Sequence, residues 1–342
     1  MEEQNNYRLN YVDYLKCFAI YLVVLGHCSI DSKLMHIIYS FHLPLFFFLS
    51  GYVFNVDKYE YNFKDFIKSR FKNLLIPYFK YCIYIVLFLT FISKLKGEQL
   101  QYTFLDIINA LVIGLRFGKC GVTLWFILSL FTIQLIILIL YKIFKSDKLT
   151  IFISLLTSFI TIFITNGTKF RLPVYFDLSL AFLLFFEIGI LSRKFNIMKL
   201  LINKVRFIYF ELLMYICMLL LNLTYFTKGI NPFFNMYGNP FLFYGTAMSA
   251  IAMLLILACK IDERIEKDNY FLEIGKNTNI IYCLHQFIIL PICINCFSFV
   301  LNYIPNTLFF VFISFLCIFI IMKYKSLKTF LSRKKYIIGK IM

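Results

Sequence analysis

The sequence predicts an all-α fold: a polytopic membrane helix bundle with about ten transmembrane helices and both termini cytoplasmic. Three observations predict it. Of 342 residues, 61% are hydrophobic and 15% charged, with a mean hydropathy of +0.78, against roughly 45–50% and about 25% in soluble domains. No water-soluble shape hides that much apolar surface, so a soluble enzyme is excluded. Second, apolar runs of helical spanning length, about 20 residues, recur between short polar clusters. Third, the basic residues segregate between alternate connections, as the positive-inside rule requires. The formal charge of +17 therefore reports cytoplasmic loops against anionic lipid, and not a nucleic-acid partner.

The elements follow in order. The first run, 11–30, comes after an acidic MEEQNN start, is too long for a signal peptide and lacks a small-residue cleavage site, so it is retained. Further spans lie near 37–55, 74–94, 122–141, 149–166, 175–192, 207–226, 240–259, 278–299 and 306–322. They are continuous rather than alternating, which excludes a strand barrel. The stretch 101–117 carries Asp106, Asn109 and Arg116 and reads as an interfacial amphipathic helix. With a cytoplasmic N-terminus, 25 lysines and arginines fall in cytoplasmic pieces and 8 in outer loops. Residues 1–342 form a single domain, since linkers, low-complexity tracts and internal repeats are absent from the sequence.

Cysteine carries little chemistry. Nearly all ten lie in apolar runs, where a thiol behaves as a small hydrophobe. Cys293 and Cys296 form a C-x-x-C with no second pair, so neither zinc nor redox work is supported.

Ionisable groups inside spans mark function by default, and they concentrate at the start of the chain. Asp13 and Lys16 open the first span and read as an ion pair at the cytoplasmic boundary, with Lys16 snorkelling to headgroups, or as an orienting acid beside a cation. His27 ends that span in LVVLGHCSI, and His42 begins the second in YSFHLPLFFF; each is either a hydrogen-bonded neutral side chain or a proton-transfer group. His36 falls in the expected outer loop and reads as solvated. Lys64, Lys68, Arg70 and Lys72 precede Pro77; positive-inside anchoring accounts for any one of them, while Lys68-x-Arg70 also suits a phosphorylated ligand. Trp125 reads as an interfacial anchor, and Glu187 as a cavity carboxylate or a snorkelling one. Tyr282 and His285, three apart, share a helix face, either as a packing pair or lining the same interior as His27.

The runs RLNYVDYLKCFAIYLVVLGHCS (8–29), FHLPLFFFLSGYVF (41–54), KSRFKNLLIPY (68–78), LWFILSLF (124–131) and IGKNTNIIYCLHQFII (274–289) resemble, in order and spacing, the acyltransferase-3 family of integral membrane acyltransferases. The resemblance is to the sugar and polysaccharide O-acetyltransferase branch and covers essentially the whole chain. It implies acyl transfer, usually of acetyl and alternatively of succinyl, from acyl-CoA in the cytoplasm to a glycan hydroxyl at the outer face of the cell membrane, with no metal. It makes His27 the catalytic histidine, with His42 beside it, and Lys68 and Arg70 the CoA-binding motif, Lys68 standing where some members have arginine. Asp13, Trp125, Tyr282 and His285 are the candidate substrate-binding residues. Many members carry a fused extracytoplasmic esterase-like domain that this sequence lacks, which implies transfer by the bundle alone or through a separate partner. Direct transfer and an acyl-histidine relay both fit. The competing expectation is an exporter of a polysaccharide or lipid-linked sugar without such chemistry.

Overall fold

The computed structural model describes residues 9–97, 124–197, 205–226, 229–264 and 269–341. The expected amphipathic helix at 101–117 lies outside the described residues. In chain order the helices are α1 (Asn10–Gly26), α2 (Ser32–Tyr52), α3 (Val56–Glu60), α4 (Phe63–Arg70), α5 (Ile76–Leu95), α6 (Trp125–Phe144), α7 (Asp147–Thr165), α8 (Phe176–Ala181) and α9 (Leu183–Lys194). They continue with α10 (Val205–Tyr225), α11 (Pro240–Arg264), α12 (Tyr270–Lys276), α13 (Thr278–Leu284), α14 (Leu290–Phe297) and α15 (Asn306–Ile341). Among the described residues the only extended pairing is one isolated bridge, Asn231 with Met236.

The expectation of an all-α polytopic bundle holds. Among the described residues eight helices are long and apolar enough to cross a membrane, and a bent pair, Pro173–Ala181 with Leu183–Lys194, makes a ninth. The expected first span is α1, which at 17 residues rises about 26 Å, slightly short of a hydrocarbon core of about 30 Å. It packs against α2, α11, α12, α13 and α15, and so occupies the middle of the bundle. The outward faces of α5, α7, α10 and α15 leave Leu87, Phe163, Leu220 and Phe315 exposed, as lipid contact allows.

Two expectations are corrected. Residues 32–36 are helix and not outer loop, because Asp31 caps α2 by accepting from the amides of Lys33 and Leu34. His36 is therefore buried at 4% exposure and not solvated. The span expected at 175–192 is broken by 59° at Phe182. A break inside a membrane frees backbone groups that lipid cannot pair. Here Ser158 on α7 donates to the carbonyl of Leu180 at 2.9 Å and accepts from the amide of Leu184 at 3.1 Å, while the Tyr244 hydroxyl donates to the carbonyl of Ala181 at 2.7 Å.

α2 and α9 cross on a pair of glycines. A Cβ on Gly51 would overlap the carbonyl oxygen of Phe186, and one on Gly189 that of Phe48. Small residues let the two backbones touch. The ends of the bundle are tied as well: Lys194 bridges to Asp147 at 2.7 Å, and at the other end Asn166 donates to the carbonyl of Gly238 and accepts from the amide of Tyr237.

Candidate functional site

A cavity of about 250 Å³ runs along α1, past Lys16, Ile20 and Val23. At one end stand three cations from separate elements: Lys16 on α1, Arg70 at the end of α4, and Lys276 at the end of α12. The polar groups Ser50, Gln134 and Asn279 line it as well, together with Val23, Phe46, Phe126 and Tyr282. The Oε1 atom of Gln134 is buried without a hydrogen-bond partner. Such a lining receives an anion at its mouth and an uncharged, partly polar arm in its neck.

Arg70 is held by aromatic faces. Its guanidinium carbon lies 5.4 Å from the ring centre of Phe54, 5.1 Å from Tyr59 and 5.8 Å from Phe66, a cage that fixes the planar cation without neutralising it. Lys68 is exposed and does not line the cavity. Helix geometry explains the split, because residues two apart do not share a face. Lys16 lines the cavity, so it is more than a headgroup contact. Asp13 is buried at 2% exposure and stays outside the lining. Its carbonyl oxygen occupies the space a Cβ on Gly275 would need, which brings α12 against α1 at the cationic end.

One helical turn beyond the lining residues Val23 and Tyr282 lie two histidines. His27 follows Val23 by four residues and His285 follows Tyr282 by three, and the two imidazoles meet edge to face with centres 4.9 Å apart. His27 is exposed at the end of α1, whereas His285 is wholly buried. The last turn of α1 tightens, with the His27 amide donating to Val24 at 3.2 Å, and His27 Nδ1 donates to the carbonyl of Val23 at 2.7 Å. A carbonyl only accepts, so Nδ1 carries the proton and Nε2 presents its lone pair when the ring is neutral. His285 repeats this geometry: Nδ1 donates to the carbonyls of Tyr282 at 2.9 Å and Ile281 at 3.1 Å, and its Nε2 has no partner.

Two π-turns frame the site. Phe71–Leu75 follows Arg70, and His285–Ile289 begins with the buried histidine. Each is followed, one residue later, by a proline, Pro77 or Pro291. Proline supplies no amide and its ring pushes on the preceding turn, so the chain widens one turn ahead of it. The π-turn begins at His285 itself, and π-turns of this kind recur at functional sites.

The remaining candidates are distributed around this axis. Tyr282 lines the cavity and its hydroxyl accepts from the amide of Phe126 at 3.2 Å, satisfying a free donor in the first turn of α6. Trp125 precedes Phe126 and is buried, packed at about 6 Å against Phe126, Tyr175 and Phe233. His42 is buried, donates from Nδ1 to the carbonyl of Ile38 at 2.7 Å and packs on Tyr39 at 4.9 Å. Tyr39 in turn donates to the carbonyl of Gly26 at 3.2 Å, beside His27. Glu187 neither lines this cavity nor snorkels: it is wholly buried and accepts from the Tyr141 hydroxyl at 2.7 Å. Cys293 is buried and Cys296 exposed, and both are free thiols.

Lys276, Gln134, Ser50 and Asn279 escaped the sequence reading. Lys276 and Asn279 belong to the polar cluster IGKNTN, which straddles the start of the expected span at 278–299 and is folded inward by α12 and α13. Gln134 did carry a signal, an amide in the middle of the run FTIQLIIL.

The family model described as an acyltransferase domain, that of acyltransferase-3, matches residues 9–323. Neither a curated protein nor a solved structure matches the chain.

Proposed function

The chain belongs to the acyltransferase-3 family and is a multi-pass membrane acyltransferase, and from that premise we propose that it is an O-acetyltransferase of the cell membrane, moving acetyl from acetyl-CoA in the cytoplasm to a glycan hydroxyl at the outer face. One observation carries the reading: a cavity leads from three cations to a point one turn below a histidine pair, in which His27 Nδ1 is engaged by the carbonyl of Val23 and His285 Nε2 has no partner.

The cations Lys16, Arg70 and Lys276 attract the phosphates of CoA, and the caged guanidinium of Arg70 supplies a planar, two-pronged donor. Lys68, exposed beside this mouth, adds long-range attraction. The pantetheine arm, with its amides, suits the polar middle of the cavity at Ser50, Gln134 and Asn279, and carries the thioester to the neck at Val23, Phe126 and Tyr282. Asp13 holds the α1–α12 contact that sets Lys16 against Lys276.

At the neck the glycan oxygen attacks the thioester carbonyl carbon while its proton passes to His27 Nε2. The tetrahedral adduct then collapses, the C–S bond breaks, and the CoA sulfur takes the proton back from the imidazolium. General-base catalysis of this kind is worth roughly 10²–10⁴-fold. His285 packs against His27 and fixes its ring, with its own Nε2 available to the acceptor or the developing oxyanion. His42 acts as a positioning residue through Tyr39 and Gly26, and Trp125 seats the first turn of α6 that binds Tyr282.

The decisive experiment supplies radiolabelled acetyl-CoA to membranes containing the protein and follows label into glycan. Transfer by the native chain and its loss in His27→Ala, at equal protein in the membrane, supports the reading. Glycan movement without label would favour an exporter and overturn it.

A further inference from the structure

Beside the donor cavity, at its cationic end, lies a second cavity of about 330 Å³ lined by residues of α5, α12, α13 and α15. Its polar groups include Asn73 in the turn before α5, Lys276 at the end of α12 and Lys325 on α15. Each stands within three residues of the end of an expected span, at 74–94, 278–299 or 306–322, which puts all three at headgroup level. The apolar part of the lining falls inside those spans. Pro77 and Tyr81, four apart, share one face of α5, and Ile280 and Cys283, three apart, share one face of α13. The cavity therefore passes from headgroup level into the hydrocarbon.

Lys276 has no ion-pair partner among the described residues. Lys325 has a loose one, Glu273 at 4.0 Å, whose side chain is 56% exposed and does not line the cavity. Positive-inside anchoring accounts for either lysine alone, but not for two ammonium groups from separate helices meeting over one apolar floor. That combination suits an anion joined to a hydrocarbon chain, and basic pockets between spanning helices bind anionic headgroups in this way. Both flanking helices face lipid: α5 leaves Ile83, Tyr84 and Leu87 exposed, and α15 leaves Phe315, Phe319 and Tyr324 exposed. Tyr84 stands one turn beyond Tyr81, with ring centres 6.0 Å apart, and continues the aromatic surface out of the cavity along α5. A nucleotide would leave that surface uncovered. We infer that this cavity binds the phosphate headgroup of an anionic phospholipid, with an acyl chain laid along Tyr81 and Tyr84.

The two cavities share a wall. Leu74, Lys276 and Asn279 line both, and Asn277, which separates α12 from α13, lines the lipid side. A seated headgroup therefore borders the residues that form the donor mouth. The shared wall makes a phosphate of CoA the rival occupant. Lipid binding itself does not rest on the acetyltransferase reading above.

The test titrates the full-length protein in detergent with phosphatidylglycerol and with phosphatidylcholine of the same acyl chains, counting bound lipid by native mass spectrometry. CoA binding is measured on the same preparations. The native protein should bind phosphatidylglycerol about fivefold or more tighter than phosphatidylcholine, the scale of one lysine contact with an anionic headgroup. Lys325→Gln should bring that preference below about twofold, and Lys325→Arg should keep it. Lys328→Gln, exposed on the same helix but outside the lining, should not move it. All three variants should bind CoA within about twofold of the native chain, since neither lysine borders the donor cavity. No preference in the native protein, a preference that survives Lys325→Gln, or an equal loss in Lys328→Gln overturns the proposal. Loss of CoA binding in Lys325→Gln with the lipid preference unchanged gives the cavity to the nucleotide and overturns it as well. A preference that depends on Lys325 in a native protein that binds no CoA would keep the lipid site and sink the donor reading instead.

Discussion

Arg70 and Lys68 stand two residues apart in sequence, yet only Arg70 lines the donor cavity. Removing a charge-assisted hydrogen bond to phosphate costs about 1.5–3 kcal/mol, so Arg70→Gln should raise the KM for acetyl-CoA roughly ten- to hundredfold. Lys68→Gln should change it by less than about threefold, because an exposed charge is screened by salt. Steady-state kinetics at fixed acceptor checks both; equal effects would mean that the two cations share the ligand. His27→Ala should lower kcat by roughly 10²-fold or more with little change in the acetyl-CoA KM, since it removes a proton acceptor and not a binding contact. His27 and His285 were legible as candidates in the sequence as imidazoles inside spans, Arg70 as part of a basic motif at the mouth of a span, and Tyr282 by sharing a helix face with His285. Lys276 was not, because a charge between spans looks the same whether it faces water or folds into a cavity, and neither was Asn279, one amide among several polar residues at the start of an expected span. Which member of a charged pair reaches the ligand depends on the rotation of α4, and a motif alone does not record it.

Helices in this bundle bend and widen where side chains compensate the backbone. Ser158 serves both sides of the break at Phe182, so Ser158→Ala leaves one carbonyl and one amide unpaired in an apolar interior. At about 1–3 kcal/mol for each unsatisfied group, the variant should unfold at a clearly lower temperature in detergent; an unchanged Tm would mean the break is satisfied by other means. The π-turns give a different expectation. Pro291→Ala restores an amide and lets the chain relax toward regular α-helix, which rotates His285 by about 100° if one residue is absorbed. Stability should hold or rise while kcat falls at least about tenfold, measured as melting temperature and label transfer on the same preparation. A fall in both together would reduce the π-turn to a packing feature. Apolar periodicity located these helices well. The break at Phe182 and the two π-turns escaped it, since hydropathy averages over a turn and the compensating Ser158 and Tyr244 come from other elements.

At the scale of the whole molecule, the cationic mouth and the histidine pair are separated along α1 by Lys16, Ile20, Val23 and His27, a rise of about 16 Å from first to last. Charge segregation in the sequence, 25 basic residues against 8, is the basis on which we propose that the mouth and both termini face the cytoplasm. The fold keeps that polarity: Lys16, Arg70 and Lys276 gather at one end of the donor cavity, and His27 caps α1 beyond the other. Acetyl-CoA does not cross bilayers, so the sidedness of donor use reads the orientation directly. In inside-out vesicles, acetyl-CoA added to the bulk should be consumed and its label should appear on lumenal glycan. In right-side-out vesicles the same addition should leave the donor intact until detergent opens the membrane, whereas acceptor added to the bulk becomes accessible. Equal donor use in sealed vesicles of both orientations would mean that acetyl-CoA reaches the site from either face, and would overturn a donor mouth confined to the cytoplasmic side.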